Sequence, residues 1–169
     1  SRLDAGNAEL VLSRFPFGDA IESVTRANAL AAKQHGHTLT YTPPESLPLI
    51  VGDRSRLEQV MMNVIGNAVK YTPDGGEINF RAKETLFEEG LVHLRMEIKD
   101  NGIGMSEEFL QHIFEPFTQE QRSSRTHYKG TGLGMAITKK LVDQMHGSLD
   151  VESEPGKGST FIVRLERCS

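Results

Sequence analysis

Two asparagines and a lysine are spaced so that a helix would place them along one edge. Asn63, Asn67 and Lys70 are separated by four and three residues, and Tyr71 follows directly. Side chains three and four residues apart are neighbours on a helix surface. An amide oxygen is a hard, neutral ligand for Mg²⁺, which fills the rest of its shell with phosphate oxygens and water. The edge borders an apolar stripe, so the amides should be half-buried and need partners. The alternative is a solvated helix edge with two capping-prone amides.

A carboxylate followed by two glycines forms a second candidate segment, Asp100-Asn101-Gly102-Ile103-Gly104. The residues before it alternate between apolar and polar, which predicts a strand that ends near Asp100. A carboxylate in this position can accept a hydrogen bond from the amino group of adenine. Glycines let the backbone approach a flat base closely. A plain Asp-Asn-Gly turn between a strand and a helix explains the same residues.

Two more glycine-bearing segments could meet a nucleotide. Gly130-Thr131-Gly132-Leu133-Gly134 leads into a helical pattern, and backbone N–H groups at a helix N-terminus bind phosphate. Gly156-Lys157-Gly158-Ser159-Thr160 lies between two predicted strands. A flexible hinge and an ordinary hairpin turn are the respective alternatives. Neither segment has the spacing of a Walker loop or of a dinucleotide-binding fingerprint.

Composition excludes several other classes of chemistry. The chain has 169 residues, one cysteine and a net charge of -4. It is therefore the size of one domain, without an internal disulfide, a cysteine-rich metal site or a basic surface for nucleic acid. No apolar run is long enough to span a membrane. The histidines are scattered and predicted to lie at the surface: His35, His37, His93, His112, His127 and His146.

The elements that must position these segments follow from the spacing of apolar residues. Asp53 can cap a helix whose apolar stripe runs from Leu57 to Ala68. Other helices are predicted over residues 19–34, 107–113 and 137–145, and a mobile loop over residues 118–133. Strands are predicted over residues 38–42, 47–51, 77–83, 92–99, 148–153 and 159–165. This mixture predicts a two-layer α/β sandwich.

In their order, these segments resemble the motifs of the histidine-kinase branch of the GHKL ATPases, which also include DNA gyrase, a heat-shock chaperone and MutL. Residues 63–73 resemble the N box, 100–105 the first glycine box, 114–117 the F box, 130–137 the second glycine box and 156–161 the last. The resemblance covers residues 53 to 165. It implies the Bergerat fold of the α+β class, a mixed, mostly antiparallel sheet with helices on one face.

The resemblance implies ATP and Mg²⁺ as cofactors and gives each motif a role. Asn67 would hold Mg²⁺ with support from Asn63, and Lys70 would contact phosphate, so that Asn67 and Lys70 serve catalysis. Tyr71 would lie against the nucleoside. Asp100 would bind the adenine amino group. The remaining contacts to nucleotide would come from Gly102, Gly104, Gly130, Thr131, Gly132, Leu133, Gly134 and Thr160, with Gly104 and Thr160 lining the base pocket and a lid running from about Phe117 to Gly130.

One departure from the ATP-hydrolysing relatives bears on mechanism. Those relatives place a glutamate four residues before the Mg²⁺-binding asparagine, as the base that activates water, and here that residue is Asn63. An amide cannot take a proton at neutral pH. The sequence therefore predicts a protein histidine kinase that keeps ATP intact until a better nucleophile arrives. The rivals are an ATPase clamp, a protein-serine kinase of the same fold and a non-enzymatic module with a vestigial pocket.

A second departure concerns the phosphoacceptor and the lid. The family's Ser/Ala-His-Glu-Leu-Arg-Thr-Pro pattern does not occur in the chain, so we predict that the chain binds ATP without phosphorylating itself. Gln119 occupies the place of a lid arginine common in the family, with Arg122 and Arg125 as nearby alternatives. The Phe-Glu-Pro-Phe-Thr-Gln sequence resembles hybrid kinases that carry a receiver domain.

The resemblance also sets expectations for the rest of the protein. Residues 1–14 are predicted to be the tail of a preceding dimerisation helix or a linker, and residues 15–169 the catalytic ATP-binding domain. The implied partners are the parent's own dimerisation and histidine-phosphotransfer domain and the receiver domain of a response regulator, in the same polypeptide if the parent is a hybrid kinase. Nucleic acid is not an expected partner. The implied location is a cytoplasmic domain of a protein anchored in the bacterial inner membrane.

Overall fold

The fold is taken from a computed structural model, which describes residues 10–44, 49–86, 91–116 and 134–168. The helices are α1 (Phe17–Gln34), α2 (Arg54–Tyr71), α3 (Glu107–Leu110) and α4 (Gly134–Gln144). The strands are β1 (Ser13–Pro16), β2 (Thr38–Thr42), β3 (Leu49–Gly52), β4 (Glu77–Leu86), β5 (Leu91–Asp100), β6 (Ser148–Glu154) and β7 (Gly158–Cys168). Among these elements, no helix is long and apolar enough to cross a bilayer.

Five of the strands form one mixed sheet in the order β2-β4-β5-β7-β6. Strand β2 runs parallel to β4, and the other three pairings are antiparallel. The predicted mixed, mostly antiparallel sheet is thereby confirmed. Strands β1 and β3 pair separately as a small antiparallel sheet. Because β1 spans residues 13 to 16, it crosses the predicted boundary between residues 14 and 15.

The sheet buries one face beneath the helices. On β5, Leu94, Met96 and Ile98 are almost completely buried, and they pair across to Leu165, Val163 and Phe161 of β7, which are buried as well. Side chains alternate between the faces of a strand, so the polar residues between them lie on the other face. Helices α1, α2 and α4 pack over the apolar face. The predicted two-layer sandwich is confirmed.

Element boundaries differ from the sequence predictions where distant residues decide them. Helix α1 begins at Phe17, two residues earlier than predicted, because the Phe17 ring is fully buried in the core. Strands β4 and β5 are longer than predicted because they pair continuously from Ile78 with Asp100 to Leu86 with Val92. Helix α3 is shorter and ends at Leu110. Pairing between strands extends each of them beyond what its own hydrophobic pattern indicates.

Candidate functional site

Helix α2 presents the predicted amide and lysine edge at the border of the core. Asp53 caps it by accepting a hydrogen bond from the Arg56 backbone N–H at 3.1 Å, as predicted. The apolar stripe is buried against α1 and the sheet. Asn63, Asn67 and Lys70 are half-buried beside it. The helix therefore holds three polar side chains at the rim of the core, where they remain accessible to a ligand.

The side chains on this edge have different partners. Asn63 Nδ2 donates a hydrogen bond to Thr138 Oγ1 of α4 at 2.9 Å. The Lys70 ammonium lies 5.1 Å from the centroid of the Tyr71 ring, within range of a cation–π interaction. Within the described ranges no residue hydrogen-bonds the Asn67 side chain. Both the nitrogen and the oxygen of the Asn67 amide are therefore open to an external ligand.

Asp100 ends strand β5 as a buried carboxylate with only 6% of its surface exposed. Its Oδ1 accepts hydrogen bonds from the backbone N–H groups of Gly102 at 2.9 Å and Ser159 at 3.2 Å. Burial raises the pKa of this carboxyl above its usual range, while the two backbone hydrogen bonds and the nearby His37 act in the opposite direction. Oδ2 accepts no hydrogen bond from the described residues. One oxygen is thus fixed by the backbone, and the other can accept from a ligand.

The glycines around Asp100 are required by close backbone approaches within the protein. Gly104 has φ of 69°, and a Cβ there would overlap the carbonyl of Glu154 in the β6–β7 turn. Gly158 has φ of 91°, and its Cβ would overlap the carbonyl of Asp100. Any other residue would face both backbone strain and a steric clash. The sequence predicts that these glycines let the backbone approach a base. In the structure, the space beside Gly104 and Gly158 is occupied by the backbone of the protein itself.

The structure brings the amide edge and the carboxylate loop together. The Ile103 N–H donates to the carbonyl of Tyr71, the last residue of α2, at 3.4 Å. A Cβ on Gly102 would lie 2.5 Å from the same carbonyl. Asn67 is four residues before Tyr71, about 6 Å along the helix axis. Asp100 and Asn67 therefore border one region, which a single nucleotide can span.

A serine in the β6–β7 hairpin completes the support of the carboxylate loop. Ser153 Oγ accepts from the Met105 N–H at 2.9 Å and donates to the carbonyl of Gly158, also at 2.9 Å. It also lies 2.8 Å from Ser159 Oγ. The loop after β5 is therefore tied to the hairpin that carries the last glycine motif. Neither Ser153 nor Ser159 was predicted as a site residue, because strand pairing creates their contacts.

Thr160 does not reach the carboxylate. In the pairing of β5 with β7, Thr160 is opposite Lys99 and Ser159 is opposite Asp100. Because successive residues of a strand point to opposite faces, Thr160 lies on the face of the sheet away from Asp100. The placement of Thr160 at the base pocket is therefore corrected. Ser159, whose N–H contacts Asp100, is the residue of β7 that lies beside the carboxylate.

A histidine supports the turn that follows α2. His37 Nε2 lies 2.8 Å from the carbonyl oxygen of Thr72 and 3.2 Å from that of Pro73. Since carbonyls only accept, Nε2 carries the hydrogen and donates to both. The side chain is buried, and its ring stacks on His35 at 5.5 Å between centroids. His37 thus anchors the end of the amide-bearing helix next to Asp100.

The prediction that the histidines lie at the surface was wrong for His37, which is buried. His35, His112 and His146 are exposed, as predicted, and His93 is half-buried. His127 lies outside the described residues. The sequence signal for His37 was its position just before strand β2, but only the pairing of β2 with β4 brings it to the turn after α2.

Much of the predicted lid lies outside the described residues. Gly130, Thr131, Gly132 and Leu133 fall there, as do Phe117 and the lid residues Gln119, Arg122 and Arg125. Gly134 begins α4, and a Cβ added to it would meet no atom within 4 Å. Phe114 is half-buried against the core, with the Lys139 ammonium 5.9 Å from its ring centroid. The roles given to the undescribed residues stay predictions.

The residues present fit a magnesium ion held jointly with a nucleotide. In the part of the chain that the structure describes, no three His, Cys, Asp or Glu side chains cluster as metal ligands. Mg²⁺ accepts one or two protein oxygens and takes phosphate and water for the rest. The Asn67 amide, half-buried and without a hydrogen-bond partner among the described residues, suits that arrangement. The donor set thus fits a metal that arrives with phosphate.

The chain is similar to known proteins over most of its length. Residues 52–168 match the family of histidine kinase-, DNA gyrase B- and HSP90-like ATPases. The chain is 34% identical to the signal transduction histidine-protein kinase BarA of Escherichia coli (strain K12), over 98% of this chain and 18% of that protein. It is 36% identical to the hybrid signal transduction histidine kinase F of Dictyostelium discoideum, over 98% of this chain and 15% of that protein.

The fold is similar to that of a solved structure. Full-length ShkA, crystallised in complex with AMPPNP, matches with a TM-score of 0.83 and 27% sequence identity. The match covers 99% of this chain and 34% of ShkA. The chain therefore spans under a fifth of the length of BarA and of kinase F and about a third of ShkA.

Proposed function

The chain belongs to the family of histidine kinase-, DNA gyrase B- and HSP90-like ATPases, and from that premise we propose that it is the ATP-binding catalytic domain of a two-component histidine kinase. The five motifs indicated this family, and the family match over residues 52–168 confirms it. The parent protein would transfer the γ-phosphoryl group of ATP to a histidine on a separate helical domain.

The observation that carries this proposal is the half-satisfied carboxylate of Asp100. Its Oδ1 is held by two backbone N–H groups, while Oδ2 has no donor among the described residues. A carboxylate oxygen that accepts from no protein group has lone pairs available for a hydrogen bond from a ligand. The exocyclic amino group of adenine is such a donor, whereas guanine presents a carbonyl there. AMPPNP bound to ShkA supports an adenine nucleotide.

The phosphate end of the site lies along α2. Asn67 would hold Mg²⁺ with Asn63 supporting it, and the ion when bound neutralises charge on the phosphate oxygens. Lys70, next to Tyr71, provides a cation for the same charge, and the Tyr71 ring would lie against the nucleoside. Phosphoryl transfer depends mainly on positioning and charge neutralisation. The segment ending at Gly134 would add backbone N–H groups over the phosphates.

The nature of residue 63 favours a kinase over an ATPase clamp. Asn63 cannot accept a proton, and its amide nitrogen already donates to Thr138. A water molecule beside Asn63 would therefore lack a base to activate it. ATP bound to the domain would persist until a stronger nucleophile reached the γ-phosphate. The nucleophile and its base would come from the phosphoacceptor domain.

The partners follow from the size of the relatives. BarA and kinase F are more than five times longer than the chain region that matches them, and kinase F is named a hybrid kinase. We infer that the parent carries a dimerisation and histidine-phosphotransfer domain and serves a response-regulator receiver domain, in the same polypeptide if it is a hybrid kinase. The domain would then work in the cytoplasm beneath a membrane anchor of the parent.

Calorimetric titration with ATP and GTP in the presence of Mg²⁺ tests the binding step. We expect ATP to bind and GTP to bind at least tenfold more weakly, since a misplaced buried polar group costs about 1–3 kcal/mol. Asn67→Ala should weaken Mg²⁺-ATP binding and leave binding in EDTA unchanged. Absence of any nucleotide binding would instead support a vestigial pocket.

Labelling with γ-³²P-ATP tests the transfer step. The chain alone should take up no label, whereas a histidine-phosphotransfer domain added in trans should gain an acid-labile phosphohistidine. Steady hydrolysis of ATP that is lost in Asn67→Ala would favour the ATPase clamp. Acid-stable label on a serine of the added protein would favour a serine kinase.

A further inference from the structure

Thr138 of α4 contacts both motifs at the phosphate end of the site. Its side chain is completely buried. Its Oγ1 donates to the carbonyl of Gly134 at 2.6 Å and accepts from Asn63 Nδ2 at 2.9 Å. A helical threonine commonly donates to the carbonyl four residues earlier. This preference does not explain the second hydrogen bond, which comes from Asn63 on another helix.

We propose, on the basis of the function proposed above, that Thr138 is a positioning residue that fixes the orientation of the Asn63 amide. The hydroxyl has a single hydrogen, and two oxygens 2.6 Å apart require it between them. The Gly134 carbonyl only accepts, so that hydrogen belongs to the bond with Gly134. Only lone pairs of Oγ1 therefore face Asn63, and the amide must present its nitrogen.

The orientation determines which atom of Asn63 remains for the ligand. An amide has its nitrogen and oxygen on opposite branches, so fixing Nδ2 on Thr138 leaves Oδ1 on the other branch. Among the described residues, none donates to Asn63 Oδ1. Asn63 and Asn67 are four residues apart on one helix edge. The site thereby keeps two amide oxygens available in register, which is the donor type that Mg²⁺ accepts.

The contact also joins two structural parts of the site. Asn63 lies on α2, and Gly134 is both the first residue of α4 and the last glycine of the second glycine motif. The same helices are also joined at their other ends by a hydrogen bond from Arg56 to Gln144. Removing the Thr138 hydroxyl should therefore leave α2 and α4 packed and disturb only the amide.

A pair of matched variants separates positioning from packing. Thr138→Val keeps the shape of the side chain and removes the hydroxyl, and Thr138→Ser keeps the hydroxyl. We expect Thr138→Val to weaken Mg²⁺-ATP binding roughly fivefold to tenfold, with binding of ATP in EDTA unchanged, and Thr138→Ser to restore the wild-type affinity. In the background of Asn63→Ala, the Thr138→Val substitution should have no further effect on Mg²⁺-ATP binding.

Nuclear magnetic resonance of the nucleotide-free chain gives an independent measurement. The Asn63 side-chain amide protons should exchange slowly with solvent in the wild type and in Thr138→Ser, and rapidly in Thr138→Val. Equal exchange in all three proteins would overturn the proposal, as would equal loss of affinity with and without Mg²⁺. If the wild type bound no nucleotide, the proposed function would fail, while the exchange measurement would still decide whether Thr138 orients Asn63.

Discussion

The two ends of the candidate site are built in opposite ways. At the proposed adenine end, the Asp100 carboxylate is buried and its supporting loop is tied to α2 and to the β6–β7 hairpin by backbone hydrogen bonds. At the proposed phosphate end, Asn67 is half-exposed, and a Cβ on Gly134 would meet no atom within 4 Å. The adenine end is thus complete before a ligand binds, and the phosphate end offers groups that a ligand and its metal would organise.

The difference explains why glycine serves two purposes in one site. The folded protein requires glycine at positions 104 and 158, since a Cβ at either position would overlap neighbouring backbone. Among the described residues, no atom would contact a Cβ at Gly134, so the fold does not require glycine there. Substitution of these glycines at the proposed adenine end should therefore damage the fold, whereas substitution of Gly134 at the proposed phosphate end should leave the fold intact. The predictions below test this contrast and then compare the site with a residue outside it.

The largest expected effect is on stability, from Gly104→Ala. A φ of 69° and the overlap with the Glu154 carbonyl should lower the free energy of unfolding by about 3 kcal/mol, the upper range for overpacked sites. Gly134→Ala is the matched control and should change it by less than about 0.5 kcal/mol. Urea unfolding followed by circular dichroism measures both. Similar losses in the two variants would remove the proposed contrast.

Asp100→Asn should separate binding from stability at the adenine end. The amide oxygen can still accept from Gly102 and Ser159, while the amide nitrogen replaces the acceptor Oδ2 with a donor. ATP affinity should fall roughly 10- to 100-fold, equivalent to about 1.4–2.8 kcal/mol. The nucleotide-free variant should be at least as stable as the wild type at neutral pH, because a buried charge is removed. Calorimetry and thermal unfolding give the two readouts.

The pH dependence of the same group follows from its raised pKa. Burial raises the pKa of Asp100 above the ordinary aspartate value of 3.8. The contribution of this group to the free energy of unfolding is fully present below pH 3.8. It is lost as the pH rises through the raised pKa. The stability advantage of Asp100→Asn should therefore grow across that window. ATP binding should weaken on acidification, beginning at a higher pH than for an ordinary carboxyl; an effect confined below pH 3.8 would contradict the shift.

The smallest expected effect lies outside the site, at Tyr41. Its hydroxyl is buried without a hydrogen-bond partner among the residues that the structure describes, and its ring packs edge-on against Phe80 at 5.0 Å. Tyr41→Phe should stabilise the chain by up to about 1 kcal/mol and leave ATP binding unchanged. The unsatisfied hydroxyl of Tyr41 would then only lower the stability of the fold, whereas the open oxygen of Asp100 is proposed to bind a ligand.

Alkaline titration sharpens that last comparison. Burial raises the pKa of Tyr41 from 10.0 to about 12. The group's contribution to stability is full below pH 10 and is lost as the pH rises through about 12. Tyr41→Phe should lack this particular loss. Denaturant unfolding at pH 9 and 11 would measure it, and identical behaviour of the two proteins would count against a buried hydroxyl.

Residues close together in the sequence were predicted well. The spacing of Asn63, Asn67 and Lys70 correctly indicated a helix edge beside the core, and Asp53 was correctly identified as its cap. Both depend on helix geometry within a few turns. The alternation of Leu94, Met96 and Ile98 likewise predicted the buried face of β5. Local geometry is enough to locate such residues.

The errors and omissions involve contacts between distant segments. Thr160 was assigned to the base pocket, but the register of β7 against β5 turns it away and puts Ser159 beside Asp100. His37 was expected at the surface, but its bonds to the turn after α2 bury it. Thr138 carried no motif signal of its own. A one-residue difference in strand register reverses the face of every side chain, and sequence patterns define the register only loosely.

The sequence by itself determined the family, the five motifs and the chemistry available: an amide edge for a metal with phosphates, a carboxylate for adenine, and no base at position 63. These depend on residue type and on spacing within single elements. The tertiary structure alone decided which groups hold Asp100 and which atom of Asn63 is left open. Those properties arise from hydrogen bonds between residues far apart in the chain, such as Asn63 with Thr138, which exist only after the sheet and helices pack.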